Sequence, residues 1–255
     1  MRVLVVLPTY NEAANIENVL DRVRKALPDA SILVVDDGSP DGTAKIAAEV
    51  GERLGNLDIL SRSGKLGLGS AYRDGFGWGL ERGYEAFIEM DSDLSHDPDA
   101  LPSLVAPLED GFEVCIGSRY VPGGSIPNWS LPRRMLSRGG NLYANILLGL
   151  HVRDSTAGFR AYAATVLQRI DLSSVLADSY GFQIEMTYRA IGAGAKVQEV
   201  PIRFVDRQLG TSKMSTYTVV EALGLVTWWG AQRAFDRLRG GGRTARAVAS
   251  PPASP

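Results

Sequence analysis

The alternation of short aliphatic runs with helix-forming segments in the first half of the chain is the feature that most restricts its fold. Residues 3–7 form a continuous β-branched and aliphatic run, which is typical of a strand buried on both faces of a parallel sheet. Further strands are predicted over residues 32–35, 57–60, 86–90 and 113–117, and helices over residues 42–53, 69–82 and 99–110. We also expect Asn11 to cap a helix after the first strand, with Glu12 in its first turn. This order predicts an α/β fold with a right-handed, doubly wound sheet flanked by helices.

The second half of the chain begins with a loop. Five prolines and glycines between residues 120 and 132 prevent regular structure there. Beyond it the patterns predict helices over residues 133–150, 182–191 and 217–239, strands over residues 159–162 and 196–205, and a polar loop over residues 206–216. Residues 240–255 are expected to be disordered, so residues 1–239 are predicted to form one domain.

Composition and charge limit the class of protein. The chain of 255 residues is 45% hydrophobic and 22% charged, which is ordinary for a globular domain. Its one cysteine, Cys115, excludes a disulfide framework within the chain and suits a reducing compartment. Met1 leads directly into a strand and no run of 18 uncharged apolar residues occurs, so we expect no signal peptide and a soluble or peripheral protein.

The net charge of −2 is unevenly distributed along the chain. Residues 1–118 hold 10 Lys and Arg against 21 Asp and Glu, a balance of −11. Residues 119–160 hold 6 against 1, and residues 201–255 hold 8 against 3, which is +5 for each stretch. Two basic stretches indicate an anionic partner, although solvated surface explains the extreme tail as well.

A pair of carboxylates follows the predicted strand over residues 86–90. Asp91 and Asp93 stand one residue apart at its carboxyl end, where ligands of doubly wound sheets bind. Mg²⁺ is commonly held by one or two carboxylates together with substrate phosphates, so this pair suits a cation bound to a diphosphate. The alternative is a solvated acidic turn.

Polar and aromatic side chains follow the first two strands as well. Tyr10 and Glu12 come after the first strand, where a ring can pack on a sugar or base and a carboxylate can accept hydrogen bonds from either. Asp37 and Gly38 follow the second strand, where glycine permits close approach of a ligand to the backbone. Ordinary capped turns would produce both patterns too.

Taken together, the motifs resemble those of the family-2 inverting glycosyltransferases, and within them the dolichyl-phosphate or polyprenyl-phosphate mannose synthases. The motifs are PTYNE, VVDDGSPDGT, KLGLGSAYRDGF, MDSDLSHDP, IGSRYVPGG and GTSKM, in the order and spacing of that family between Met1 and Met214. Asn128, Trp129, Arg133, Arg134 and Ser137 are more specific to the lipid-phosphate branch. The resemblance implies a GT-A (Rossmann-like) mixed sheet with a C-terminal amphipathic helix, a nucleotide-binding half over residues 1–118 and an acceptor-binding half over residues 119–239.

The resemblance also implies roles for individual residues. The donor-binding residues would be Pro8, Tyr10, Glu12, Val35 and Asp37 around the guanosine, Asp91, Ser92 and Asp93 at the diphosphate, and Arg207 and Lys213 closing over it. Asp91 and Asp93 would ligate Mg²⁺ or Mn²⁺, and the acceptor phosphate would meet Arg119, Arg133 and Ser137. The catalytic residues would be Asp93, Arg119, Arg207 and Lys213. Ser95 stands where one branch has a metal-ligating Gln, and His96 is expected to serve the turn rather than the metal.

These roles predict mannose transfer from GDP-mannose to a polyprenyl phosphate with inversion. Because a phosphate monoester is largely ionised at neutral pH, the acceptor needs no general base, unlike a sugar hydroxyl. Two alternatives stay open: a UDP-glucose-dependent glucosyltransferase acting on the same lipid class, and a non-catalytic nucleotide-sugar-binding subunit of a membrane complex.

Two apolar helices are expected to bring the protein to its lipid. The helices predicted over residues 133–150 and 217–239 carry apolar surface suited to a membrane interface, although core packing explains their aliphatic residues about as well. We therefore expect a cytoplasmic protein that is peripheral on the cytoplasmic face of the membrane, with a possible integral-membrane anchoring subunit. No nucleic acid is expected as a partner.

Overall fold

A seven-stranded mixed sheet forms the centre of the described part of the chain. The computed structural model describes residues 1–178, 180–206 and 216–238. The strands are β1 (Val3–Thr9), β2 (Ser31–Asp36), β3 (Leu57–Ser61), β4 (Ala86–Glu89), β5 (Val114–Ser118), β6 (Arg160–Ala163) and β7 (Val197–Pro201). The helices are α1 (Ile16–Ala26), α2 (Thr43–Leu54), α3 (Leu68–Glu81), α4 (Leu101–Glu109), α5 (Leu131–Leu148), α6 (Ala164–Arg169), α7 (Tyr180–Gly192) and α8 (Thr216–Leu238). The predicted doubly wound mixed sheet and the C-terminal helix are confirmed.

Strand β6 runs against its two neighbours. The order in the sheet is β3-β2-β1-β4-β6-β5-β7, and β1 pairs in parallel with both β2 and β4. Arg160, at the start of β6, pairs with Glu89 at the end of β4 and with Ile116 near the end of β5. The chain that enters β6 therefore lies at the same sheet edge as the carboxyl ends of the parallel strands, where ligands bind in such folds.

The hydrophobic core has two parts, one on each face of the sheet. Leu4 and Val6 of β1 pack with the buried α3 residues Tyr72 and Phe76, whereas the alternate β1 residues pack against α1. Helix α3 lies close to the sheet because it carries glycines. A Cβ on Gly75 would lie 2.5 Å from a Val6 methyl carbon, so no larger residue fits without displacing the helix.

The predicted cap of α1 is wrong. Helix α1 begins at Ile16, and Asn11 adopts a left-handed conformation with φ of 59° instead of capping it. The Asn11 N–H donates to the Ser39 hydroxyl, and the Glu12 N–H donates to the Thr43 hydroxyl, so this segment is fixed to the loop after β2. Because these bonds are long-range, the local sequence did not indicate them. The Glu12 carbonyl accepts the N–H of Ile16, so Glu12 precedes the first turn.

One helix is absent from the predicted elements, and two predicted segments cannot be compared with the structure. The short helix α6 was not predicted. The loop over residues 206–216 and the tail over residues 240–255 lie almost entirely outside the described residues, so they remain predictions. Among the helices that the structure describes, none combines the length and apolar character needed to cross a bilayer.

Candidate active site

The ends of β1 and β2 bring the first group of candidate residues together. Pro8 pairs with Val35, and Thr9 pairs with Asp36, so the segments that carry Tyr10 and Asp37 leave the sheet side by side. The Tyr10 ring is half-buried, and the Lys65 ammonium lies 5.1 Å from its centroid. The Glu12 side chain accepts a hydrogen bond from the Asn15 amide at 2.9 Å. These contacts hold the residues that are predicted to surround the nucleoside, which we call the nucleoside side of the site.

Asp36 and Asp37 differ in what they contact. Asp36 accepts hydrogen bonds from the Thr9 hydroxyl and the Ser39 N–H, so it holds the turn after β2. Asp37 is buried, lies 3.0 Å from the Arg62 guanidinium, and accepts the Leu66 N–H at 3.1 Å. Asp37 therefore connects the predicted nucleoside side to the loop that leads into α3.

The acidic turn, residues 91–96, follows β4. The Asp91 side chain is 34% exposed, whereas Asp93 is only 7% exposed and accepts the Ser95 N–H at 3.0 Å. The Ser92 hydroxyl donates to the Pro8 carbonyl at 2.8 Å and so joins this turn to the end of β1. The Tyr72 hydroxyl lies 3.4 Å from an Asp91 oxygen. The turn is thus tied to β1 and α3.

Carboxylate oxygens of this kind suit Mg²⁺ or Mn²⁺. No group of three or more acidic, His or Cys side chains able to hold a metal occurs within the described ranges, so a cation here would rely on substrate oxygens as well. Asp91 can offer oxygens to such a cation because its side chain is 34% exposed. Two protein carboxylates are what a cation needs when the diphosphate of the substrate supplies its other ligands.

His96 completes the acidic turn from within. Its ring is buried and stacks on Phe159 with centroids 5.0 Å apart, and Nδ1 accepts the Asp91 N–H at 3.3 Å. Burial lowers the pKa of His96 from 6.5 to about 4, against the opposing effect of Asp93. His96 is therefore neutral at physiological pH, with its proton on Nε2. This arrangement agrees with the predicted role in the turn.

Arg119 is held by a buried carboxylate that the sequence motifs did not single out. Its guanidinium makes two parallel bonds to Asp154, Nε to Oδ2 at 2.7 Å and Nη2 to Oδ1 at 2.6 Å. The Arg119 N–H donates to the same carboxylate at 2.9 Å. Burial raises the pKa of Asp154, but the charge and bonds of Arg119 outweigh it and keep the pKa below 3.8. Arg119 is thus rigidly oriented before any substrate arrives.

Arg133 also has a carboxylate partner. Its Nη1 lies 2.9 and 3.0 Å from the two Asp206 oxygens, and its guanidinium lies 4.0 Å from the centre of the Trp129 ring. The Trp129 indole N–H donates to Asp206 at 3.0 Å. Ser137, one turn later on α5, accepts the Tyr120 hydroxyl at 2.7 Å.

The Phe204 ring connects the acidic turn to these arginines. Its centroid lies 5.5 Å from that of His96, 5.7 Å from that of Trp129, and 5.7 Å from the Arg119 guanidinium carbon. We call Arg119, Tyr120, Trp129, Arg133 and Phe204 the arginine–aromatic cluster. Among the predicted residues, the structure therefore brings the acidic turn, Arg119 and Arg133 to one edge. Arg207 and Lys213 lie outside the described residues, and their predicted roles stay predictions.

Two of the missed residues had a signal in the sequence. Asp154 is the single acid between residues 119 and 160, a stretch with six basic residues, so it was the natural internal counter-ion. Asp206 directly precedes the predicted Arg207. Phe204 and Tyr72 gave no comparable signal, because their positions depend on how β7 and α3 pack.

Known proteins resemble the chain over nearly its whole length. The model of glycosyl transferase family 2 matches residues 4–171. The polyprenol monophosphomannose synthase of Mycolicibacterium smegmatis is 49% identical over 242 residues, which cover 94% of this chain and 91% of that protein. The undecaprenyl-phosphate mannosyltransferase of Micrococcus luteus is 48% identical over 239 residues, which cover 94% of this chain and 98% of that protein.

Solved structures share the fold at lower sequence identity. A mannosyltransferase from Pyrobaculum calidifontis, solved in complex with GDP-Man and Mn²⁺, superposes with a TM-score of 0.56 and 19% identity. The match covers 95% of this chain and 65% of that one. At this identity the likeness supports the GT-A fold and nothing finer.

Proposed function

The chain belongs to glycosyl transferase family 2, and we propose that it transfers mannose from GDP-mannose to a polyprenyl phosphate with inversion at the anomeric carbon. One observation carries the proposal. A single sheet edge holds an acidic turn suited to a metal-bound diphosphate and, in contact with it through Phe204, the arginine–aromatic cluster suited to a second anion. The two relatives named above transfer mannose to polyprenyl phosphates by their names, and nearly half of their residues are identical to this chain.

The donor would lie along the ends of β1, β2 and β4. We assign the nucleoside to Pro8, Tyr10, Glu12, Val35 and Asp37, and the diphosphate to Asp91, Ser92 and Asp93. Mg²⁺ or Mn²⁺, when bound by Asp91 and Asp93, would neutralise charge on the departing nucleoside diphosphate. The hydrogen bonds from Ser95 to Asp93 and from Ser92 to Pro8 keep the turn in place while the donor binds. Arg207 and Lys213 are assigned to the diphosphate as well.

The acceptor phosphate would approach from the arginine–aromatic cluster. Asp154 fixes the plane of the Arg119 guanidinium, so the reactants do not have to order it. Arg133 and Ser137 are assigned to the same phosphate, and its oxygen would attack the face of the sugar opposite the leaving group. A phosphate monoester carries its own negative charge at neutral pH, so the reaction requires no general base. The buried, neutral His96, with Nδ1 already bonded to the Asp91 N–H, is consistent with that scheme.

The lipid part of the acceptor would be held in the membrane, so the protein needs a surface that can contact it. Exposed apolar side chains line α5 and α8, and we call them the α5–α8 face: Leu131, Met135, Leu142, Ile146, Val220 and Leu223. The two helices are joined by a hydrogen bond of 2.8 Å between Tyr143 and Thr227. We assign this face to the cytoplasmic surface of the membrane, with an integral-membrane subunit as a possible additional anchor. Residues 1–118 would then serve the donor and residues 119–239 the acceptor, within one domain.

A comparison of acceptors tests the proposal. Purified protein with Mn²⁺ and labelled GDP-mannose would be given either polyprenyl phosphate or the matching polyprenol, which lacks the phosphate. We expect label in the lipid only with the phosphate, and a β-linked mannosyl phosphate by NMR of the anomeric proton and carbon. Transfer to the free alcohol, or an α-linked product, would contradict the proposal.

A further inference from the structure

An arginine interrupts the apolar surface of α5. Leu131, Met135, Leu142 and Ile146 are 73, 73, 61 and 70% exposed, and their spacing places them on one side of the helix. Arg138 is exposed on that same side, three residues after Met135 and four before Leu142. A cation within an apolar surface is unfavourable against hydrocarbon alone, so its position calls for an anionic partner at the lipid boundary.

Arg138 and the buried Arg119 both contact the ring of Tyr120. The Arg138 guanidinium carbon lies 5.4 Å from the centroid of Tyr120, and that of Arg119 lies 5.5 Å from the same centroid. The Tyr120 hydroxyl donates to Ser137 at 2.7 Å. Both distances lie within the range of a cation–π interaction, so the Tyr120 ring lies between an exposed arginine and a buried one.

Arg138 differs in its charge balance from Arg119 and Arg133, the two arginines assigned to the acceptor phosphate. Arg119 is paired with Asp154 and Arg133 with Asp206. No carboxylate lies within 4.0 Å of the Arg138 guanidinium among residues 1–178, 180–206 and 216–238. The remaining stretches of the sequence contain no Asp or Glu side chain at all. The charge of Arg138 is therefore not neutralised by an acidic side chain of the protein.

We propose that Arg138 binds the phosphate monoester of the polyprenyl acceptor where it enters from the membrane and directs it past Tyr120 toward Ser137. The prenyl chain would lie along the apolar residues on either side of Arg138. A forked guanidinium suits two phosphate oxygens, and it binds the acceptor without taking part in bond formation. This inference rests on the proposed function. Because bilayer phospholipids carry phosphate too, the experiment has to separate the acceptor from the surrounding membrane.

Kinetics in neutral detergent micelles make that separation. Without anionic phospholipid, the acceptor supplies the only lipid phosphate. Arg138→Ala is expected to raise the KM for polyprenyl phosphate about tenfold, with kcat and the KM for GDP-mannose within about twofold of wild type. Arg138→Lys should recover part of the loss, because the charge returns without the fork. The matched control is Arg237→Ala, which removes an exposed arginine from α8 and should leave all three constants unchanged.

The remaining outcomes would overturn the inference. An unchanged acceptor KM for Arg138→Ala in micelles would show that Arg138 does not bind the acceptor. A loss seen only on anionic vesicles, and shared by Arg237→Ala, would mean attraction to the bilayer charge alone. Wild-type protein is measured first, so the absence of any transfer to polyprenyl phosphate would refute the proposed function and this inference together, whereas normal wild-type transfer with no Arg138 effect would refute only the inference.

Discussion

At the scale of single residues, the two carboxylates of the acidic turn differ in exposure. This difference makes Asp93 the better position at which to test the assigned metal site. Asp91 is partly exposed, whereas Asp93 is buried and accepts a hydrogen bond from the Ser95 N–H. Asn in place of Asp93 keeps the shape and the acceptor oxygen but loses the negative charge that a divalent cation requires.

We expect Asp93→Asn to reduce mannose transfer by at least about 100-fold at saturating Mn²⁺, because several kcal/mol of charge stabilisation would be lost. The far-UV circular dichroism spectrum should be unchanged. Asp97→Asn is the control, since Asp97 lies in the same segment but is half-exposed and paired with Arg22. Wild-type turnover by Asp93→Asn would refute the metal assignment.

Asp154 provides a second test at this scale. Asp154→Asn would leave the Arg119 guanidinium buried without its counter-charge, and breaking such a pair from one side costs about 3–5 kcal/mol of unfolding free energy. Urea unfolding measures the loss. The control Asp178→Asn breaks the more exposed pair with Arg73 and should cost at most about 1 kcal/mol. Equal losses in the two variants would contradict the role given to Asp154.

Glu89 makes the stability of the protein depend on pH. Burial raises its pKa from 4.5 to about 7, against the opposing charge of Arg160. Between these values the unfolded chain has released the proton that the folded protein still holds, so the free energy of unfolding falls as pH rises from 4.5 to 7. Glu89→Gln removes this dependence. Relative to wild type, the variant should gain stability between pH 5 and pH 8, by about 3 kcal/mol at most.

The matched control for Glu89→Gln is Glu113→Gln. The hydrogen bond from Arg169 lowers the pKa of Glu113, so the carboxyl is largely ionised in both the folded and the unfolded chain from pH 5 to pH 8. The stability difference between Glu113→Gln and wild type should therefore change by at most about 0.2 kcal/mol over this interval. Urea titrations of the metal-free protein at the two pH values measure both variants. A constant difference for Glu89→Gln as well would show that Glu89 is ionised in the folded state throughout.

At the scale of secondary-structure elements, the local sequence pattern predicted where the strands lie but not how they meet. The run over residues 3–7 is a buried strand, because its aliphatic side chains point to both faces of the sheet and both faces must then be covered by helices. By contrast, nothing in residues 159–162 reveals that β6 runs antiparallel between β4 and β5. That direction brings the segment with Asp154 and Gly158 to the site. The charge pattern marks Asp154 as a counter-ion, but which arginine it pairs with depends on the tertiary fold.

The α5–α8 face belongs to the same scale, because two helices form it together. Ile146→Glu adds a charge to an exposed position and leaves the core intact, so we expect the protein to lose most of its binding to phospholipid vesicles in sedimentation. Ala48→Glu is the control, since it adds the same charge to an exposed position on α2. Equal vesicle binding by Ile146→Glu and wild type would exclude this face as the membrane contact.

At the scale of the whole molecule, the distribution of charge follows the proposed division between donor and acceptor. Residues 1–118 are acidic overall, and the acidic turn belongs to them, whereas residues 119–160 are basic and carry the arginines of the cluster. A donor that arrives with a divalent cation suits the first part, and a bare phosphate suits the second. The charge asymmetry can be read from the sequence alone, whereas the division into donor and acceptor parts stays a proposal. The Phe204 contact that joins the parts depends on the tertiary fold.

The choice of sugar nucleotide tests the central claim most directly. Purified protein would be given polyprenyl phosphate and Mn²⁺ with labelled GDP-mannose or labelled UDP-glucose, and label in the organic phase would be measured before and after chelation with EDTA. We predict mannose incorporation that EDTA abolishes and that returns when Mn²⁺ is added in excess. Incorporation of glucose instead of mannose would contradict the account, as would mannose transfer that persists after chelation.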